Sequence, residues 1–232
     1  MVPGVRLVVL GKQGAGKGTQ CVRLSHHYVV PHVSTGDMLR AAVKSGSDLG
    51  TKVKEVMDRG ELLGDDIIME MVAERLAEPD ARARGFILDG CPRTIRQAEA
   101  LAALMAPGAI DLVVDIEVPT VQAMRRLASR RVCTDCGANY SVTTPPKVNW
   151  TCDICGGEVI QREDDTEDAI IRRLELYERQ TAPLIEWYED RNQLTKINGV
   201  GAAEAVSRRV IRAVEERRGR WQGPGRPSGR LL

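Results

Sequence analysis

The segment Gly11-Lys12-Gln13-Gly14-Ala15-Gly16-Lys17-Gly18-Thr19 follows directly on the largely apolar run Val5–Leu10. Such a run reads as a buried parallel strand. The glycines behind it let the backbone turn tightly and aim several N–H groups at one anion, and the residues after Lys17 read as a helix whose N-terminus faces the same anion. Strand, glycine turn and helix start together make a cradle for nucleotide phosphates, with Lys17 as a mobile charge on the outer ones. Gly18 stands where Ser or Thr usually follows the lysine, and Thr19 comes one place late. A glycine-rich strand–helix turn without a ligand is the bland alternative. The strand before the loop and its place near the chain start favour the phosphate site.

The 232 residues suffice for one α/β domain with an insertion. Aromatic residues are only 3 %, so the core must rest on Val, Leu, Ile, Ala and Met. With 33 basic and 32 acidic side chains the net charge is +1, which gives no global attraction to nucleic acid. Arg217, Arg218, Arg220, Arg226 and Arg230 crowd the end of the chain, where 217–232 holds no acid; without them the body carries about −4. No apolar stretch reaches the length of a bilayer span, and Met1-Val2-Pro3-Gly4 runs straight into the first strand, so no signal peptide is expected. The six cysteines are therefore expected in a reducing cytoplasm.

Helical patterning follows the first strand over Gly16–Tyr28. His32–Ser34 is a short extended stretch, and Asp37–Lys44 and Leu49–Asp58 read as two short helices. Ile67, Ile68, Met71, Val72 and Leu76 make a helical stripe. Phe86-Ile87-Leu88 is a second buried strand ending in Asp89-Gly90, and Thr94 with Gln97 has the spacing of a capping box opening a helix to about Leu104. Leu112–Ile116 is a third strand, with a helix near Val121–Ser129 behind it. Asp165 is expected to cap one long helix running to about Tyr188, before a last strand at Leu194–Ile197 and a last helix at Ala202–Arg217. The alternation predicts an α/β fold: a parallel sheet flanked by helices on both faces, interrupted by a small insertion at about 130–164. The tail from about 217 is expected to be disordered.

The insertion carries Cys133-Thr134-Asp135-Cys136 and Cys152-Asp153-Ile154-Cys155, two Cys-x-x-Cys pairs separated by 15 residues. Each pair can offer both thiolates to one ion, so Cys133, Cys136, Cys152 and Cys155 complete a closed tetrahedral site for structural zinc. Two disulfides do not suit a reducing compartment, and the spacing leaves an iron–sulfur cluster open. The segment is too short for its own core, so the metal supplies its folding energy. Cys21 falls in a helix and reads as a small buried apolar residue.

Three stretches coincide with this insertion: GKQGAGKGTQ at 11–20, STGDMLR at 34–40 and DGCPRT at 89–94, with Arg162 and Asp165 behind it. Together they resemble the adenylate kinases, in particular the bacterial long form with a zinc-bearing lid, over roughly 5–216. The resemblance implies a phosphate-loop kinase core at 1–216, Mg²⁺ with ATP, and the reaction ATP + AMP ⇌ 2 ADP in adenine nucleotide homeostasis. It also implies an AMP-covering part at 34–63, a lid over ATP at 129–165, and a monomer in the cytoplasm.

On this resemblance, ATP is held by Gly14, Ala15, Gly16, Lys17, Gly18, Thr19, Arg126, Arg130, Asn139, Tyr140 and Gly201. AMP meets Thr35, Arg40, Glu61, Leu62, Leu63, Gly90, Cys91, Pro92, Arg93 and Gln97. Arg162 and Arg173 close over the transferred group, so Lys17, Arg93, Arg130, Arg162 and Arg173 form the catalytic set, with Asp89 orienting water around Mg²⁺. Arginine suits the task because its planar fork binds phosphate oxygens in pairs and stays charged. Thr35 stands where kinases that prefer UMP or CMP resemble this pattern with Ala, and a Gln97 amide can both donate to and accept from an adenine edge.

Two positions depart from the family. Cys91 replaces a usual Phe or Tyr, removing aromatic surface and placing a candidate reactive sulfur near Arg93. Gln13 replaces a common Pro, which loosens the phosphate loop. A kinase for GMP, UMP or CMP is the first rival reading, opposed by Thr35 and Gln97. The second is a nucleic-acid-binding zinc ribbon, opposed by a lid segment in which Lys147 faces Asp135 and Asp153 and makes no basic surface.

Overall fold

The computed structural model describes residues 4–46, 48–59, 62–162 and 165–220. Strands β1 (Val5–Leu10), β2 (His32–Ser34), β3 (Gly85–Asp89), β4 (Leu112–Glu117) and β8 (Leu194–Asn198) form one parallel sheet in the order β2-β3-β1-β4-β8. Between them run α1 (Lys17–Tyr28), α2 (Thr35–Lys44), α3 (Asp48–Asp58), α4 (Asp65–Ala77), α5 (Pro79–Arg84), α6 (Ile95–Met105) and α7 (Thr120–Ser129). After the insertion come α8 (Glu167–Leu176), α9 (Pro183–Glu189) and α10 (Ala203–Arg220).

Alternation along β1 assigns its side chains to two cores. Val5, Leu7 and Val9 pack with Leu24, Tyr28, Val206, Val210 and Val214, on the face of α1 and α10. Val8 and Leu10 pack with Val72, Leu76, Leu101, Leu184 and Tyr188, on the face of α4, α6 and α9. All ten of these helix partners are buried, each contributing ~1.5–3 kcal/mol by leaving water. With both faces covered, β1 reads as a nearly continuous apolar run. Two strands on either side of β1 leave the carboxyl ends of β1, β3 and β4 side by side, where open α/β sheets bind their ligands.

The insertion is more regular than its composition suggests. β5 (Arg130–Cys133) pairs antiparallel with β6 (Asn139–Ser141) and with β7 (Val159–Ile160), giving a second, three-stranded sheet.

Three expectations are corrected. The single helix over 165–188 is divided: Thr166, rather than Asp165, caps α8 by accepting from the Ala169 N–H at 3.3 Å. A π-helical turn at Tyr177–Thr181 separates α8 from α9. Pro183 has no N–H to continue the ladder, and Ala182 N–H bonds back five residues to Tyr177 at 2.8 Å. α5 was not anticipated; Pro79 sits at its first turn, and Asp80 accepts a forked bond from Arg75 at 2.9 and 2.8 Å. Finally, α10 continues past residue 217 to Arg220, and Arg218 reaches back to the Gly4 carbonyl at 3.3 Å. The rest of the expected tail lies outside the described residues.

Candidate active site

Gly11, Gly14 and Gly16 have φ of 132°, 78° and 99°, which L side chains rarely adopt. At Gly14 space also forbids one, since a Cβ would lie 2.3 Å from the Ala123 carbonyl oxygen. Gly16 starts α1 without a side-chain cap, so the first N–H groups of the helix remain open to an anion. Lys17 lies back over the loop and donates to the carbonyls of Gly11 at 2.7 Å and Lys12 at 3.1 Å. Burial lowers its pKa, Asp89 works against that, and Arg93 and Arg130 add to it.

Two side chains brace this loop. Lys12 donates to Thr120 Oγ1 at 3.0 Å and to Glu178 Oε1 at 2.9 Å, tying the loop to the π-helical turn. Arg126 donates to the Ala15 carbonyl at 3.0 Å and the Gly199 carbonyl at 3.1 Å. It thereby joins the phosphate loop to the turn carrying Gly201, which has φ of 110°. Sequence reasoning missed Lys12, because one lysine in a glycine loop reads as a solvated charge.

Asp89 ends β3 under the loop. Burial would raise its pKa, but His32, Lys17 and Arg93 outweigh that and lower it, so the carboxylate is held ionised. His32 Nε2 stands 3.5 Å from Asp89 Oδ2. Cys21 completes a trio whose ligand atoms lie within 4.8 Å of one another. Burial, then Asp89, pushes the Cys21 thiol well up, and the cations Lys17 and Arg93 share its surroundings. Cys21 is thus the buried apolar residue expected.

On the other side of Asp89, buried Thr35 donates to the Asp89 carbonyl at 3.3 Å. Gly90 (φ 86°) must be glycine here, because a Cβ would come 2.5 Å from Thr35 Oγ1. Arg93 Nε donates to the Gly90 carbonyl at 2.8 Å, and burial together with nearby Arg173 and Arg40 lowers the Arg93 pKa against the pull of Asp89. Arg40 pairs with Asp37. Burial opposes ionisation of Asp37, and Arg40 overcomes it, with Arg162 adding to the same effect. Thr94 caps α6 by accepting from the Gln97 N–H at 3.1 Å. The reciprocal half of the box differs from expectation: Gln97 Oε1 accepts from the Arg93 N–H at 2.7 Å, one residue before the cap. Leu62 and Leu63 are half-buried, and Leu63 packs on the core. Glu61 lies outside the described residues.

Cys91 overturns one expectation. It is fully buried against Met69, Sγ to Sδ 3.7 Å, and burial outweighs Arg93 to push the thiol up to about 12. Such a sulfur is an inert packing group. Pro92 beside it is buried as well.

The lid joins the core through charged residues. Arg130, first residue of β5, donates to both oxygens of Asp165, with Nε at 2.7 Å. Arg173 Nη1 stands 3.6 Å from the same carboxylate, whose side chain is fully buried. Asn139 on β6 overhangs the phosphate loop: a Cβ on Gly18 would lie 3.9 Å from its Nδ2 and 3.7 Å from Asp89 Oδ2. Tyr140 points instead to the cysteines, accepting from the Asp153 N–H at 2.8 Å with its hydroxyl 3.4 Å from Cys152 Sγ. The four sulfurs lie within 4.8 Å of one another, Cys133 to Cys155 at 3.4 Å and Cys136 to Cys152 at 3.6 Å. Those spacings exceed a disulfide and approach the ~3.8 Å edge of a tetrahedron with ~2.3 Å metal–sulfur bonds. Asp135 and Ile154 N–H groups each donate to a cysteine sulfur at 3.4 Å, as thiolates require.

Lys17, Arg40, Arg93, Arg130, Arg162 and Arg173 thus converge around Asp89, Asp37 and Asp165, a concentration of positive charge suited to clustered phosphates. The adenylate kinase family model matches residues 9–193. Adenylate kinases of three bacteria align nearly end to end. That of Carboxydothermus hydrogenoformans is 47 % identical over 91 % of this chain and 100 % of its own. That of Geobacter sulfurreducens is 48 % identical over 91 % and 98 %, and that of Caldicellulosiruptor saccharolyticus 46 % over 90 % and 99 %. The chain belongs to the adenylate kinase family. Its reaction is the reversible phosphoryl transfer ATP + AMP ⇌ 2 ADP. Among the described residues of this adenylate kinase, no helix is long and apolar enough to cross a membrane.

Proposed function

We propose that the converging side chains divide the adenylate kinase reaction between two nucleotides. The observation that carries this division is the position of Asp89, with the phosphate loop and Lys17 on one side and Thr35, Gly90 and Arg93 on the other. ATP lies along Gly14–Thr19, with Arg126 and Gly201 toward its base and Asn139 over its phosphates. AMP lies against Thr35, Arg40, Leu62, Leu63, Gly90, Cys91, Pro92, Arg93 and Gln97, with Glu61 nearby in sequence. Lys17, Arg93, Arg130, Arg162 and Arg173 surround the group in transit. Phosphoryl transfer asks little covalent chemistry of a protein, so this work is positioning and charge neutralisation.

Asp89, held ionised among cations, fits a role in orienting the water shell of Mg²⁺. The ion neutralises phosphate charge when bound with ATP. Cys133, Cys136, Cys152 and Cys155 hold structural zinc, supported by their spacing and the N–H groups directed at the sulfurs. Residues 34–63 and 129–165 act as the movable covers of the core. The enzyme works as a monomer in the cytoplasm, the compartment in which thiols such as its six cysteines stay reduced. Coupled assays of ADP formation with AMP, GMP, UMP and CMP as acceptors, with metal analysis of the purified chain, test these assignments. AMP as preferred acceptor and one zinc per chain are expected.

A further inference from the structure

Buried Gln97 hangs between two partners of opposite hydrogen-bonding character. The Arg93 backbone N–H can only donate, and it meets Gln97 Oε1 at 2.7 Å. Asp65, when ionised, can only accept, and its Oδ1 meets Gln97 Nε2 at 2.7 Å. The other oxygen, Asp65 Oδ2, accepts from the Thr94 hydroxyl at 2.9 Å, while that hydroxyl accepts from the Gln97 N–H at 3.1 Å. Asp65 opens α4 and Gln97 lies in the first turn of α6, so the carboxylate bridges two helices. The oxygen and nitrogen of an amide have nearly the same shape, so only its partners decide which way it faces. Here both partners impose the same direction, and turning the amide over would set donor against donor and acceptor against acceptor.

We infer that Asp65 is the positioning residue that fixes the Gln97 amide and so makes the monophosphate site select a 6-aminopurine over a 6-oxopurine. The inference rests on the proposed place of Gln97 at the AMP base. Once Arg93 and Asp65 are served, Gln97 retains one N–H and one oxygen lone pair for a ligand. Adenine presents an acceptor, N1, beside a donor, the 6-amino group, and a fixed amide satisfies both. Hypoxanthine reverses the pair, with N1–H a donor and O6 an acceptor. Against the same amide it meets two mismatches, and a site with unsatisfied polar groups rejects such a ligand. Without Asp65 the amide is free to turn and to serve either edge.

The test compares kcat/KM for AMP and for IMP, with MgATP, in the full-length zinc-loaded enzyme. Asp65→Ala is expected to lower the AMP-to-IMP ratio about tenfold, mainly through KM, with kcat at saturating AMP within about twofold of wild type. Asp65→Asn keeps an acceptor for Gln97 and should retain most of the selectivity. Asp66→Ala, which removes a surface ion pair with Arg96, should leave the ratio unchanged. An unchanged ratio in Asp65→Ala overturns the inference. So does an equal loss for both substrates, the mark of a merely structural role, or an Asp65→Asn as unselective as Asp65→Ala. If Asp65→Ala does not fold, the Gln97 side-chain amide protons of the wild-type enzyme give the reading by NMR. Slow exchange supports the clamp and rapid exchange overturns it. A wild-type enzyme that takes IMP as readily as AMP would overturn the reading of Gln97 itself.

Discussion

Asp165 binds Arg130 through both of its oxygens, and the carboxylate that does so is fully buried at the root of the lid. The same group faces Arg173, so one acid orients two of the cations proposed to meet the transferred phosphate. Its burial is offset by these two cations, which it holds beside each other in the free protein.

Replacing Asp165 with Ala is therefore expected to loosen both arginines. Breaking a buried pair of this kind costs on the order of 3 kcal/mol in stability, moderated because Arg130 can turn to solvent. We expect kcat to fall about tenfold or more. AMP with a non-hydrolysable ATP analogue should restore more thermal stability to the variant than to wild type, since phosphates supply the missing anion. Thermal unfolding with and without these ligands checks this, and equal stabilisation of the two proteins would count against it.

Lys17→Met should abolish most turnover while sparing the fold. Among the described residues the ammonium donates to two loop carbonyls. In the proposed role it faces phosphate, where loss of a charge contact costs on the order of a hundredfold in rate. Steady-state assays alongside circular dichroism would reveal it; near-normal turnover would remove Lys17 from the catalytic set.

Thr35→Ala should shift acceptor preference toward UMP more than it lowers the maximal rate, because Thr35 is proposed to lie at the base and not at the phosphate. Losing its bond to the Asp89 carbonyl should also cost about 1 kcal/mol of stability. Parallel kcat/KM measurements with AMP and UMP decide the first point, and an unaltered preference would exclude Thr35 from the base pocket.

Chelation, or Cys152→Ser, should melt the lid before the core. A four-sulfur shell has no open position for chemistry, so its loss acts through folding. Activity should survive in part at low temperature, since Lys17, Arg40 and Arg93 lie outside the lid, and decline as Arg130 and Arg162 lose their footing. Calorimetry of metal-stripped protein is expected to show a separate early transition. Loss of activity with unchanged stability would contradict a structural metal.

Asp115 gives a pH-dependent prediction. It is buried in the middle of β4 with Oδ1 unbonded, and burial followed by Glu117 raises its pKa to about 6. Its unfolded value is ~3.9, so the native state binds the extra proton between those two values. Stability on this account is highest below about pH 4 and is lost as pH rises through about 6. Asp115→Asn should therefore gain on wild type as pH increases across that interval, by roughly 3 kcal/mol at most. Urea melts at acid and neutral pH test the trend, and a difference independent of pH would refute it.

Much of this protein was legible in residue order because its signals are local. Gly11, Gly14 and Gly16 take positive φ, the apolar strands alternate between two cores, and two Cys-x-x-Cys pairs bring four sulfurs to one point. Local pattern misled at Tyr177–Thr181, where helical residues continue but Pro183 forces the ladder into a π turn. It misled again at Cys91, where a thiol beside an arginine suggested reactivity and burial removed it. Lys12, Asp65 and Asp165 carry no motif, since a single charge in a loop or at a helix start looks like many others on a surface.

The sequence by itself determined the chemistry available: a phosphate cradle, a set of arginines, an insertion with four cysteines, and strands and helices in alternation. It did so because each depends on neighbours within a few residues along the chain. Only the tertiary structure decided which charges meet. Lys12 reaches Glu178 and Arg130 reaches Asp165 across long stretches of chain, and Asp65 reaches Gln97 from another helix. The strength and direction of those contacts depend on distance and burial, which arise only when the sheet brings the carboxyl ends of β1, β3 and β4 together.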